Sequence, residues 1–334
     1  MGRLSKIFRK IRKQPGADPG PHHLLKESKW VSKKFLIQAV DDEMSDVMAE
    51  FPDREECAPR PSFTHIINLF PAPSEDSTQE NTITSMSRAA TGYDGDVRLI
   101  NVQSKDDEDQ TPAGFERAPD IMSTISDLKS FSPIRPLPFV FDIIENGVTV
   151  ANDGDFVVFT NADICLQPHF YSAVAELLAF GFDALVINRR TVGAEFERYF
   201  DSPLLAAETG KTHPGFDCFV FQKCLFNDFV RNNSCVGIAG VGQGLLYNLI
   251  GVSKKMLLLA NATLTYHLGN DRDWLDETLR EYTEHNQQEY LGTVRTLLTT
   301  VENPESLIGY FRNCANPKEA RSLFREFFPG TPEA

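Results

Sequence analysis

With 334 residues, 41% of them hydrophobic and 24% charged, the chain has enough apolar material for a sizeable core, which excludes wholesale disorder. A formal net charge of −14 excludes a general nucleic-acid binder, because phosphate contacts need a basic surface. It is compatible with an enzyme that holds an anionic substrate through a divalent cation. The length fits one core domain with terminal extensions. Six cysteines fall without a CxxC pair and without an apolar signal stretch ahead of them, so neither a zinc knuckle nor a disulfide framework is expected. The expected compartment is reducing and cytoplasmic.

The charge is unevenly spread. Arg3, Lys6, Arg9, Lys10, Arg12 and Lys13 interleave with Leu4, Ile7, Phe8 and Ile11 at helical spacing, a short basic amphipathic helix that suits peripheral contact of residues 3–13 with an anionic membrane surface. A solvated basic tail and a mitochondrial-type presequence fit the same residues, and all three readings stay open. Lys6 stands where a myristoylation motif needs Ser or Thr, so lipidation of Gly2 is not expected. A Pro/Gly linker covers 14–22, and the apolar run at 33–40 reads as an extra strand or a packing arm. The stretch MLLLANATLTYHL (256–268) is too short and too polar to span a bilayer.

The regular pattern starts with a strand at 62–71, continues with a helix at 78–90 and returns to a strand at 97–103, the opening of a parallel α/β sheet. The acidic loop SKDDEDQ (104–110), with Asp106 and Asp107, lies just past that second strand, at the carboxyl edge where open α/β sheets place ligands. Helices are predicted around 119–130 and 137–146, the latter ending in Gly147 as a C-cap. Residues 155–181 read as a buried strand, a polar break at Thr160–Asp163 and a helix from about Pro168. A strand at 182–191, a turn and strand at 213–222, a glycine-started helix at 238–251, a final strand at 255–269 and a charged helix from Trp274 to about Tyr290 complete the pattern. The expected organisation is a head, linker and packing arm over 1–61, an α/β core domain over 62–273 and a helical extension over 274–334.

A buried strand ending in Asn-Ala-Asp puts Asn161 and Asp163 on one side of the backbone, where both can face one cation. Mg²⁺ or Mn²⁺ bridging the two phosphates of a nucleoside-diphosphate sugar neutralises the leaving group. On the triplet alone, the same residues serve equally as turn-forming or helix-capping groups. The stretch from Leu137 to Leu178, a helix running into DFVVFTNADICLQPHFY, together with the order of elements over 62–270, resembles a GT-A fold glycosyltransferase of the family 2-like kind. That resemblance implies an α/β fold with a mostly parallel central sheet, and a metal site in which Asp163 binds Mn²⁺ or Mg²⁺. Asn161, a neutral oxygen ligand, replaces the first Asp of the Asp-x-Asp motif. It further implies that the strand at 62–71 faces the nucleotide, that Asp106 and Asp107 lie near its base or ribose, and that Arg135 is a basic residue facing it.

Two later motifs extend the resemblance. In HPGFDCFVF, Asp217 follows a Pro-Gly turn, where inverting members present the general base that takes the acceptor hydroxyl proton; a turn-stabilising role for Asp217 is the alternative. In TYHLGNDRDW, His267 takes the place of a C-terminal metal ligand, with a core histidine as the alternative, and the loop with Arg272 and Trp274 folds over the diphosphate. Arg189 and Arg190 suit phosphate contact or surface ion pairs. GVGQG (240–244) lacks the Lys-Ser/Thr of a P-loop and reads as a helix start that lets an acceptor approach. The expected activity is sugar transfer from a nucleotide-sugar donor to a hydroxyl acceptor, a glycan. A nucleotidyltransferase or nucleotide-sugar hydrolase is the rival on the same fold, although NLFPAPSEDSTQ after the first strand lacks Gly and basic residues. A catalytically silent carbohydrate-binding relative is the rival from another class, supported by Asn161.

Overall fold

The runs FVVFT, ALVI and MLLL are apolar almost without interruption, the pattern of strands covered on both faces, and FTHII is buried throughout although it carries Thr64 and His65. In the computed structural model they lie in one sheet. The structure describes residues 35–37, 60–72, 77–200, 203–213, 215–259, 262–269, 276–301 and 304–313. The basic segment 3–13, the linker 14–22, and Arg272 and Trp274 lie outside the described residues.

In chain order the elements are β1 (Phe35–Ile37), β2 (Phe63–Ile67), α1 (Thr78–Thr91), β3 (Val97–Asn101), β4 (Glu116–Arg117), α2 (Ile125–Leu128), α3 (Val140–Val150), β5 (Phe156–Thr160), β6 (Cys165–Leu166), α4 (Phe170–Leu178), β7 (Ala184–Ile187) and β8 (Arg190–Val192). There follow a 3-10 helix (Ala194–Tyr199), α5 (Pro203–Ala207), β9 (Lys211–Thr212), β10 (Cys218–Gln222), α6 (Val241–Val252), β11 (Met256–Leu259), β12 (Thr265–Leu268), α7 (Arg280–Thr300) and α8 (Glu305–Asn313). The main sheet runs β1-β11-β7-β10-β5-β2-β3-β4, and a smaller sheet runs β6-β12-β8-β9. Every neighbouring pair in the main sheet is parallel except those made by β10, which is antiparallel to both β5 and β7.

Period-two alternation along β2 distributes its side chains between two helical layers. Phe63 and Ile67 join Met86, Ala89, Phe170, Tyr171 and Val174 of α1 and α4 on one face. Ile66 meets Val140, Phe141 and Ile144 of α3 on the other, in a core shared with Leu245 and Leu249 of α6, Val294 and Leu297 of α7 and Leu307 of α8. The C-terminal helices therefore seal one face of the sheet.

Four expectations are corrected. The predicted helix over 119–130 shrinks to α2, because Ile121 bridges Ser104 in parallel and its N–H bonds Gln103, extending the chain along the edge of β3. The predicted strand over 182–191 breaks after Ile187 and resumes as β8 in the other sheet. The predicted strand over 255–269 divides the same way into β11 and β12. Gly147 is no C-cap, since α3 continues to Val150. A Cβ there would lie 2.4 Å from Cδ1 and 2.5 Å from Cγ1 of Ile66, so the glycine lets the helix sit close to the sheet. Because Ile66 is fully buried and β-branched, it has little room to yield. Gly147→Ala is expected to destabilise the protein by about 1–3 kcal/mol through overpacking, measured by urea denaturation; unchanged or higher stability would mean α3 can lift off freely.

Candidate functional site

Parallel β2, β3 and β5 end at one edge of the main sheet. Antiparallel β10 starts at that same edge, with Cys218 opposite both Thr160 and Ile187. Asp217, the residue before Cys218, is thus flanked by the residues that leave β5 and β7, Asn161 and Asn188. After β5 the chain turns, the Ile164 N–H donating to the Asn161 carbonyl at 3.2 Å, and enters β6 of the smaller sheet. There Cys165 pairs with Tyr266 of β12 and Thr191 of β8 with His267. Arg189 sits where the chain crosses from β7 to β8. Four separate segments therefore deliver Asp163, Arg189, Asp217 and His267 to the seam between the two sheets.

Asp163 Oδ2 lies 3.3 Å from His267 Nε2 and 3.6 Å from Arg189 Nη1. Arg189 Nε lies 3.4 Å from Asp217 Oδ2, and His213 Nδ1 lies 3.8 Å from that oxygen. Burial would raise the Asp163 carboxyl, but the hydrogen bond and charge of His267, with Arg189 behind them, outweigh it and hold it below the ordinary range. Burial would lower His267, and its hydrogen bond with Asp163 reverses that and raises it. For Asp217 burial wins: with the Asp163 charge adding and Arg189 and His267 opposing, its carboxyl is pushed up to about 6. Asp163 Oδ1, Asp217 Oδ2 and Arg189 Nε are buried atoms without a hydrogen-bond partner, so the Arg189–Asp217 contact is an ion pair without hydrogen-bond alignment.

The remaining predicted residues lie apart from this cluster. Asp106 is exposed on the loop after β3, and Asp107 is half-buried, its carboxyl raised by burial and by Asp106. Gln103 holds that loop through the Asp107 and Glu108 carbonyls. Since β3 is two strands from β5, the loop stands roughly 10 Å to the side of Asn161. Arg135 is exposed and anchored toward α7, its backbone N–H donating to the Tyr282 hydroxyl at 2.8 Å. Its charge acts on Asp276. The glycines of GVGQG accommodate the chain itself, as a Cβ on Gly242 would lie 2.7 Å from the Phe216 carbonyl, just before Asp217. Sequence reasoning passed over His213, although it opens the HPGFD motif, and gave Arg189 no more than a generic role.

Asp163 and His267 stand at a spacing that suits a divalent cation. Ligand distances of about 2.1 Å place adjacent ligands of an octahedral cation roughly 3 Å apart, close to the 3.3 Å between Asp163 Oδ2 and His267 Nε2. His267 Nδ1 is 3.2 Å from the Gly269 carbonyl, an orientation in which Nδ1–H donates and Nε2 is turned to Asp163. Asp163 Oδ1 is buried without a hydrogen-bond partner, while the side chain as a whole is 38% exposed. Among the described residues no three or more His, Cys, Asp or Glu side chains are grouped so as to hold a metal ion. A cation here would depend on Asp163, His267, the neutral oxygen of Asn161 and substrate oxygens, as Mg²⁺ does at phosphate sites. Among the described residues no helix is long and apolar enough to cross a membrane.

No family model matches the chain, and none of the curated proteins matches it. Among solved structures it is similar to S. aureus TarS 1-349 (12% identity, TM-score 0.41, covering 80% of this chain and 75% of that one). It is also similar to GalNAc-T7 with UDP, GalNAc and Mn²⁺ (11% identity, TM-score 0.42, 96% of this chain and 71% of that one). A third similarity is to 4-diphosphocytidyl-2C-methyl-D-erythritol synthase from Anaerococcus prevotii (10% identity, TM-score 0.35, 69% of this chain and 100% of that one). The chain has an α/β fold with a mostly parallel sheet, helices on both faces and an acidic-basic cluster at the carboxyl edge.

Proposed function

We propose that the chain is a glycosyltransferase that moves a sugar from a nucleoside-diphosphate donor to a hydroxyl acceptor, a glycan. The observation that carries this reading is the meeting of Asp163, His267, Arg189 and Asp217 at one seam. Asp163 and His267, with Asn161, would hold Mn²⁺ or Mg²⁺, which when bound supplies positive charge to the departing diphosphate. Asp217 is assigned as general base: raised toward neutrality by burial, it is ionised at pH 7 yet basic enough to take the acceptor hydroxyl proton. Its buried Oδ2 lacks a hydrogen-bond donor, so its accepting capacity is unspent. Burial of the carboxylate, 13% exposed, limits competition from water. Asp106 and Asp107 are assigned to the base or ribose end of the donor by their position beside the edge, and Arg135 is left without a role. The basic segment 3–13 is proposed to bring the enzyme to an anionic membrane surface and a membrane-associated acceptor.

The test is calorimetric titration with UDP and with GDP, each with and without Mn²⁺, on wild type and Asp163→Ala. Nucleotide binding that needs Mn²⁺ and is lost in the variant, by about 100-fold or more, is the expected result. Binding of neither nucleotide under any condition would sink the reading. Metal-dependent binding without any turnover of a sugar donor would favour a silent carbohydrate-binding relative, in which Asn161 has weakened the site.

A further inference from the structure

We propose that Arg189 is a donor-binding residue that rests on Asp163 in the free protein and passes to the donor diphosphate when a divalent cation takes Asp163. The inference depends on the glycosyltransferase reading above and adds to it a residue and an order of events. Arg189 is 9% exposed, so its guanidinium must find its partners inside the seam. Those partners hold it loosely, with Nη1 3.6 Å from Asp163, Nε 3.4 Å from Asp217 and Nη2 3.4 Å from His213 Nε2. Charge-assisted guanidinium contacts normally close to about 2.7–2.9 Å. Nε, moreover, is buried without a hydrogen bond. A planar five-donor fork held this far from its carboxylates is matched instead to an oxyanion that presents two oxygens, as a phosphate does.

The same Asp163 oxygen faces both Arg189 Nη1 and His267 Nε2. A divalent cation on Asp163 would therefore draw that oxygen's charge away from Arg189 and repel the guanidinium across a few ångströms. An incoming diphosphate restores a negative partner on the same spot. Arg189 thus opposes the metal by itself and favours the metal together with the nucleotide, a coupling that is reciprocal by linkage.

The signature is a pair of effects with opposite sign, which a residue that merely supports the fold would not produce. Mn²⁺ alone, and then Mn²⁺ with UDP or with GDP, are titrated into wild type, Arg189→Gln, Arg189→Lys and Asp163→Ala. Arg189→Gln is expected to bind Mn²⁺ alone about tenfold tighter and the Mn²⁺-nucleotide at least about tenfold weaker. Arg189→Lys, which keeps the charge and loses the fork, is expected to leave Mn²⁺ binding near wild type and still weaken the nucleotide. If Arg189→Gln moves both affinities in one direction, or neither, while Asp163→Ala abolishes binding, the role of Arg189 is overturned and the metal site stands. If Asp163→Ala titrates like wild type, the glycosyltransferase reading itself falls. Should Arg189→Gln not fold, judged by its thermal melt, Arg189→Lys decides: wild-type affinity for the Mn²⁺-nucleotide overturns the proposal.

Discussion

Replacing Asp217 by Asn is expected to lower turnover by about 10²- to 10⁴-fold and, at the same time, to raise the stability of the protein at neutral pH. Both effects follow from one environment. Burial pushes the Asp217 carboxyl up to about 6, the Asp163 charge adding to it, whereas the unfolded chain releases that proton near 3.9. Between those values the folded state holds a proton that the unfolded state has lost. The associated stability is fully present below about pH 4 and disappears as the pH rises through about 6. Above pH 6 the ionised side chain costs the fold up to about 3 kcal/mol, which a neutral Asn recovers. The base acts only when ionised, so kcat/KM should fall on the acid side of about pH 6, and this limb should vanish in the variant. Urea denaturation at pH 7.5 and a pH profile of sugar transfer check the two halves. Wild-type turnover would remove Asp217 from the chemistry; a loss of stability would show that its contacts to Arg189 and His213 outweigh its burial.

The second large effect concerns a residue outside the site. His65 is fully buried on β2, its Nδ1 2.7 Å from the Tyr171 hydroxyl and its Nε2 2.9 Å from Thr160 Oγ1. Burial lowers its pKa to about 3, so the folded protein keeps the ring neutral while the unfolded chain protonates it near 6.5. Its contribution is fully present above about pH 6.5 and is lost as the pH falls toward 3, a total of about 5 kcal/mol. Between pH 7.5 and 5 the loss amounts to about 2 kcal/mol. His65→Gln does not titrate, so its stability should change less than that of wild type over this interval, by that same amount. Parallel stability curves for the two proteins would show that the folded state accommodates the imidazolium. Because Thr160 is the last residue of β5, immediately before Asn161, acid unfolding is also expected to take nucleotide binding with it.

The two predictions mark different degrees of legibility. The place of Asp217, after a Pro-Gly turn and before an apolar strand, is local information, and the resemblance to GT-A enzymes singled it out there. The strand FVVFT and the polar break after it were legible for the same reason, since burial on both faces imposes a continuous apolar run that ends where the chain reaches the sheet edge. His65 carried no such signal: inside FTHII it could equally have been a surface position, and only Tyr171 and Thr160, roughly a hundred residues away, make it a buried neutral imidazole. Gly147 shows the same gap. Its place after a helical run fits a C-cap, and what overrules that is Ile66, a distant residue that leaves no room for a Cβ.

By itself, then, the sequence determined the alternation of strands and helices, the carboxyl-edge position of Asn161 and Asp163, and the start of β10 just after Asp217, all consequences of hydrophobic period and turn chemistry within a few residues. Only the tertiary structure decided where the run from 182 to 191 leaves one sheet for the other, because that break depends on pairing with β12, some 75 residues further along the chain. The crossing carries Arg189 into the seam and His267 to Asp163. Ion pairs between segments so far apart leave no trace in local periodicity, and a carboxylate's affinity for its proton is set by the burial and the charges that folding brings around it.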